Sequence, residues 1–328
     1  MRTLRSSLLF SATLLTLAAG SAFAAPAAPP LNPGAVVEIT GSKGKFDFLT
    51  IDPVRHRLLA AHEKDGTADF VDLNTNRLLT RLKLGAVVHV ISDARTGRYF
   101  ASAQDEKTIV VLEADGFKEL ARVELPGELD ALVLVPKHRR VYAAHDNGTH
   151  LWAIDADTFK PVGEVAIPGA PEMMTYDAAA DRIYLNIKAT NEVLVIDPAT
   201  DQVVAHLPTA PALSPHGIAL DAARGRLYVA GGNGRLVAIS LKTGQVVAST
   251  EIAQTVDQAA FDPVRNRIYC AGAQQLSVVQ VGDDGLKLLG QVPTDKTARN
   301  VAVDPATGAV WTTYTDGTNA YARSWKPL

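Results

Sequence analysis

The sequence predicts an all-β chain folded as a seven-bladed β-propeller with four antiparallel strands per blade. Two observations predict it. One residue pattern recurs seven times at a near-constant interval, and each interval holds four short apolar runs separated by turn residues. Repeats of about 42 residues with this grammar are propeller blades.

The pattern is an acidic residue, often followed by Pro, then a short loop, then Arg with an apolar-aromatic pair. It starts at Asp52, Asp93, Val135, Asp177, Asp221, Asp262 and Asp304, spaced 41, 42, 42, 44, 41 and 42 residues apart. Its second half reads Arg98-Tyr99-Phe100, Arg182-Ile183-Tyr184, Arg226-Leu227-Tyr228 and Arg267-Ile268-Tyr269 in four of the copies. Val135 replaces the acid once and Ala309 replaces the Arg once. One apolar strand ends at the acid and a second begins at the Arg. A turn rich in Gly and Asp or Asn follows, as in Asp65-Gly66, Asn147-Gly148 and Gly231-Gly232-Asn233-Gly234. The third strand resembles Val193-Leu194-Val195-Ile196-Asp197, and Pro198-Ala199-Thr200-Asp201 turns it into a fourth, Gln202-Val203-Val204-Ala205. Beyond the first residues no stretch holds a helical period. The seventh copy has room for three strands before Leu328. The missing fourth-strand pattern stands at the other end, in Ala35-Val36-Val37-Glu38-Ile39-Thr40-Gly41. Pairing it with the last copy closes the ring and leaves no open edge.

The N-terminus has the layout of an export signal. Arg2 and Arg5 precede an apolar run from Leu8 to Ala19, too short to span a bilayer, and Ala22-Phe23-Ala24 is an A-x-A cleavage site. Residues 1–24 are therefore expected to be a signal peptide cleaved after Ala24. Residues 25–34 read as a Pro/Ala-rich tether and 35–328 as a single propeller. The expected location is periplasmic or secreted. Cleavage leaves a net charge of about −5, with no basic run, which argues against nucleic acid as a partner. No later segment is apolar for long enough to be a membrane span. The lone Cys270, in Ile268-Tyr269-Cys270-Ala271, reads as buried strand core.

Arg226-Leu227-Tyr228-Val229-Ala230 and Val193-Leu194-Val195-Ile196-Asp197-Pro198-Ala199-Thr200 resemble the YVTN-repeat propellers, the group that includes YncE-like periplasmic proteins. The resemblance covers the whole mature chain. It implies a secreted or periplasmic seven-bladed propeller, in a family where many members have no assigned chemistry. The residues that carry it build blades, so it speaks for fold rather than function.

Function is sought where the repeat stops copying itself. The recurring Asp and Arg read as turn caps and inter-blade pairs. Five residues before each blade's acid, at the channel end of the innermost strand, stand Asp47, Val88, Asp130, Glu172, His216, Asp257 and Arg299. One residue on stand Phe48, His89, Ala131, Met173, Gly217, Gln258 and Asn300. A buried strand should start apolar, yet six of the first seven positions are charged or imidazole. They form a polar ring around one mouth of the channel, called the top below. Two readings fit this ring: a solvated funnel, or an axial site for a cation or polar ligand. Converging carboxylates and an imidazole suit a divalent cation such as Ca, Mn or Zn, with Glu172, His216, Asp257 and Asn300 as candidate ligands. Close carboxylates also repel, and either a cation or Arg299 would relieve them.

Two further histidines share one context. Ala60-Ala61-His62 and Ala143-Ala144-His145 end the second strand of the first and third blades. Two-sevenths of a turn separates them, roughly 15 Å between Cα atoms, too far for one shared ion at metal–nitrogen bonds of about 2 Å. Both are instead candidates for the rim of a larger ligand site, near His89 and Tyr314, or simply hydrogen-bond a turn.

The expected function is a non-catalytic scaffold that binds a ligand or protein through the top face and channel mouth. The alternative is a metal-dependent hydrolase of lactones or esters. Propeller lactonases of the senescence-marker type hold a divalent cation with Glu, Asp and Asn from inner strands. Glu172, Asp257 and Asn300, with Asp47 or Asp130, match that pattern, but the Glu-Gly-Pro start of those enzymes is absent. A copper or haem iron on His89 or His216 lacks a C-x-x-C-H motif. No G-x-S-x-G or H-E-x-x-H occurs. Gly231-Gly232-Asn233-Gly234 lacks the Lys of a phosphate loop.

Overall fold

The computed structural model describes residues 29–328 except Lys43 and Lys296. The expected signal peptide and its cleavage site lie outside the described residues. The chain forms seven four-stranded antiparallel sheets. In six of them the strands follow one another in chain order from the innermost outward. Each of these blades is named by its acid, blade 1 for Asp52 through blade 6 for Asp262. In blade 7 the strands Ala302–Val303, Val310–Thr315 and Ala320–Pro327 are joined on the outside by the N-terminal strand Leu31–Ile39. The first strand thus closes the ring, as the sequence predicts.

That strand starts earlier than expected. Leu31 pairs with Pro327 and is buried beside Tyr269 and Trp325, so part of the expected 25–34 tether belongs to the sheet. The register shifts between Pro33 and Val36. An outermost strand tolerates proline because one side needs no ladder donor.

The turns explain the repeat. Each motif acid accepts hydrogen bonds from backbone N–H groups two or three residues on. Examples are Asp52 from Val54 at 2.9 Å and Asp262 from Val264 at 2.9 Å. The chain must then reverse through the left-handed region. The residue before the Arg position has positive φ in all seven blades: His56, Gly97, Arg139, Asp181, Gly225, Asn266 and Gly308. Gly, Asn, Asp and His accept that conformation most readily, and both His56 and Arg139 there also bond an acid of the preceding blade. His56 bonds Asp304 at 2.7 Å across the closure of blades 7 and 1, and Arg139 bonds Asp93 of blade 2 at 2.6 Å. Tyr99 of blade 2 donates to Asp52 of blade 1 at 2.8 Å. The recurring residues are therefore caps and inter-blade ties.

Apolar side chains form one cluster at each blade-to-blade contact. Leu59, Phe70, Tyr99 and Val110 lie between blades 1 and 2, and Phe100, Ile109, Val141 and Trp152 between blades 2 and 3. Cys270 is fully buried between blades 5 and 6, and burial pushes its thiol well above the usual range. Among the described residues no helix is long and apolar enough to cross a membrane.

Candidate functional site

The top of the channel is shaped by β-bulges. In blade 3 the register shifts between Leu129 and Leu132, so Asp130 and Ala131 oppose a single residue of the next strand. Blade 2 shifts between Val87 and His89, blade 4 between Pro171 and Met174, and blade 5 between Pro215 and Gly217. A bulge breaks the alternation of faces and re-aims one side chain. Here it turns Asp130, Glu172 and His216 toward the axis. In the other three blades Asp47, Asp257 and Arg299 lie just before the innermost strand begins.

Side chains of the adjoining strands satisfy the backbone at these positions. Ser102 donates to the carbonyl of Asp130 at 2.8 Å, Asn186 to that of His216 at 2.8 Å, and Asn300 to that of Asp47 at 2.8 Å. Gln258 crosses behind them. Its oxygen accepts from Leu49 N–H at 3.0 Å and Val301 N–H at 3.2 Å, and its amide donates to the Leu49 carbonyl at 2.7 Å.

Above this level lies a polar cavity of about 300 Å³. Asp47, Asp130, Glu172, His216, Asp257 and Arg299 all line it, so the structure brings together the six polar ring positions expected from the sequence. Val88, the apolar exception, is buried. Below, the channel opens into an apolar space of about 700 Å³ that includes Ile51, Met173, Ile218, Leu220, Phe261 and Val303.

Five further residues of the cavity were not singled out in the sequence: Lys45, Glu63, Gln104, Asp146 and Lys188. Four of them share one place in the repeat, the residue just after the second strand of blades 1 to 4. Their variation, from acid to amide to lysine, is the signal that would have found them.

The lining holds six carboxylates against three fixed cations and one imidazole. Asp257 takes both of its oxygens to Arg299, at 2.7 Å each. Lys45 lies 3.5 Å from Asp47 and 2.8 Å from Glu63. Glu172 is bonded by Lys188, and the Nε2 of His216 stands 3.7 Å away while its Nδ1 meets the Ser214 carbonyl at 2.7 Å. Asp130 is nine-tenths buried, and among the described residues its carboxylate has neither hydrogen-bond nor ion-pair partner. Burial, then the charge of Asp257, pushes Asp47 up to about 7. Burial, then Glu172, holds Asp130 well above the carboxylate range. Glu172 is raised by burial, against the pull of His216 and Lys188.

The remaining sequence candidates lie outside this cavity. His62 is fully buried. Its Nδ1 meets Asp69 at 2.7 Å, its Nε2 meets the Gly44 carbonyl at 2.9 Å, and its ring stacks on Phe46. Ser42, His62 and Asp69 include the residue types of a nucleophilic triad, but Ser42 Oγ lies 3.2 and 3.0 Å from the two ring nitrogens, off both lone-pair axes. The hydroxyl also donates to Asp65 at 2.5 Å. His89 is buried and accepts from Leu132 N–H at 2.9 Å, and burial lowers it to about 3, so it is neutral. His145 packs on Trp152 at 4.7 Å and is lowered by burial and by His150. Tyr314 packs under Arg323. Asn300 is buried and spends its oxygen on Thr313 N–H and Oγ1 at 3.0 and 2.8 Å. Of the four candidate metal ligands, Asn300 and Asp257 are thus engaged elsewhere. Among the described residues no three His, Cys, Asp or Glu side chains converge as a metal-holding group.

The fold and this cavity define a class: a closed seven-bladed propeller with a charged pocket at one end of its axis. More particularly, the chain belongs to the family whose model is described as outer membrane protein assembly factor BamB, matched over residues 64–283 and 189–322. No curated protein sequence matches the chain. Solved structures share the fold at low identity. A chain of the mitotic checkpoint complex superposes with a TM-score of 0.78 and 12% identity, covering 98% of this chain and 99% of that one. U3-55K gives a TM-score of 0.76 and 11% identity, over 90% and 100% of the two chains. Hydrazine synthase of Kuenenia stuttgartiensis gives 0.74 and 13%, over 87% and 98%.

Proposed function

We propose that this protein is an exported, non-catalytic binding scaffold that holds a ligand or protein partner at the top face and channel mouth. One observation carries the reading: the polar cavity of about 300 Å³, built from the positions where otherwise repetitive blades differ. A stable ring needs none of that variation, since caps and inter-blade clusters already hold the blades together. The family's description as an assembly factor supports a role in holding other molecules. The signal-like layout of residues 1–24 and the YVTN-like repeats support a periplasmic setting. Among the described residues no paired nucleophile and base faces the cavity. The carboxylates that would serve a metal-dependent hydrolase are largely tied to Lys45, Lys188 and Arg299.

The test uses the full chain expressed with its own N-terminus. Intact mass should show a mature form starting at Ala25. A tagged protein should recover its ligand or partner from the exported fraction, and Glu172→Gln combined with Lys188→Met should abolish recovery. Val204→Ala, on the outer strand of blade 4, should not. Recovery unchanged by the mouth variant, or metal-dependent turnover of lactones or esters, would overturn the reading.

A further inference from the structure

The reading of the mouth as a binding site leaves the ligand's chemistry open, and the inference here rests on that reading. Around the ring carboxylates alternate with the protein's own organic cations. Asp257 has Arg299, Glu63 and Asp47 share Lys45, and Glu172 has Lys188. The alternation breaks in blade 3. Asp130 is nine-tenths buried, lines the cavity, and has no polar partner among the described residues. Asp146 of the same blade also lines the cavity, and Asn147 donates to it at 3.0 Å, but no cation lies within ion-pair distance among the described residues.

We propose that the blade 3 side of the mouth, between Asp130 and Asp146, binds the primary ammonium group of a small organic cation. The gap takes the same kind of group that the neighbouring carboxylates already hold. An anionic ligand would meet an excess of acids, six carboxyl groups against three fixed cations, and a neutral one would supply no counter-charge to Asp130, whose ionised form burial disfavours. A bare divalent ion needs several oxygens converging on one point, and the ring spreads its acids around the axis, with two of them committed to Arg299 and Lys188. The cavity has room for roughly ten water molecules, enough for a short aliphatic amine. The charged groups facing Asp130 are Glu172, Asp47, Asp146 and Asp257, with Lys188 also in range. They strengthen the field that draws a cation in.

The experiment is calorimetric titration of the full mature chain at pH 8 with 1,4-diaminobutane, and in parallel with uncharged 1,4-butanediol and with calcium chloride. The expected result is binding of the diamine alone, weakened at least tenfold by Asp130→Asn. That variant is nearly isosteric and removes an unpaired buried charge, so its melting temperature should be equal or higher, which separates lost binding from lost folding. Asp146→Asn should weaken the diamine as well, and Glu38→Gln, on the outermost strand of blade 7, should not. Diamine binding that ignores Asp130→Asn overturns the proposal, as does Asp130-dependent binding of calcium without the diamine. If the diamine fails to bind while the mouth variant still abolishes recovery from the exported fraction, the ammonium assignment falls and the binding reading stands. If both fail, both fall.

Discussion

Replacing Asp47 by Asn should change stability in a way that depends on pH. Burial and Asp257 raise the carboxyl to about 7, against about 4 when the chain is unfolded. A raised acid contributes its full share to stability below the unfolded value and loses it as pH climbs toward the folded value. The wild type therefore gives up stability between about pH 4 and 7. Three pH units at ~1.4 kcal/mol each set an upper bound of about 4 kcal/mol. The charges of Asp257, Lys45, Glu63 and Arg299 all face this carboxyl, so about half of that bound is assigned to Asp47. For a chain of this size about 2 kcal/mol corresponds to a shift of about 4 °C. Lys45 keeps Glu63 and Arg299 keeps Asp257 in the variant, so no cation is orphaned. Melting curves of the two proteins from pH 4.5 to 8.5 should coincide at the acid end. They should separate progressively from about pH 5 and differ fully above pH 7, with Asp47→Asn the more stable by about 4 °C. A difference that stays constant with pH, or a variant less stable at pH 8, would show that the carboxyl is ionised and well compensated, and would refute the argument.

Three other expectations follow from the same structure. Gln258→Ala removes three bonds to the backbone of Leu49 and Val301 and should cost about 3 kcal/mol, read as a drop of about 6 °C in melting temperature. Asp52→Ala strips the turn cap at Val54 and removes the acceptor of the Tyr99 hydroxyl, so it should cost about 2 kcal/mol in urea unfolding while leaving recovery of the ligand unchanged. Cys270, fully buried with a raised thiol, should resist iodoacetamide at pH 8 in the native protein and react at once in denaturant.

The fold was legible because blade turns demand particular residues. An acid that caps backbone N–H groups and a residue that accepts positive φ before Arg recur wherever the chain reverses, and a seven-fold rhythm survives loss of the acid at Val135. The start of the first strand was not legible. Leu31 lies among prolines that read as a tether, and only Tyr269 and Trp325, far off in sequence, show that it is core. The ring was legible as a failure of repetition, whereas the bulges that aim its side chains leave no mark in residue type. The surroundings of the paired histidines were not legible either. His62 occupies the strand end where a polar side chain suggests a rim. Its partner Asp69 lies across the hairpin, and pairing of Ala61 with Ala68 and of His62 with Thr67 brings the two together inside the blade.

The echo of Ala60-Ala61-His62 in Ala143-Ala144-His145 therefore divides into two parts with different causes. Through the histidine, each copy serves its own blade: His62 ties down the turn that begins at Gly44, and His145 covers Trp152. One residue later the chain leaves the sheet, and Glu63 and Asp146 face the shared cavity. A side chain inside a blade is constrained by the same neighbours in every repeat, so substitutions there cost packing energy and the copies stay alike. A side chain over the axis meets the other six blades instead of its own, and its neighbours differ at each position. Variation there carries little folding cost and can be shaped by what the channel mouth holds. Asp130 takes this furthest: among the described residues no side chain pairs its buried carboxyl, and burial disfavours its charged form.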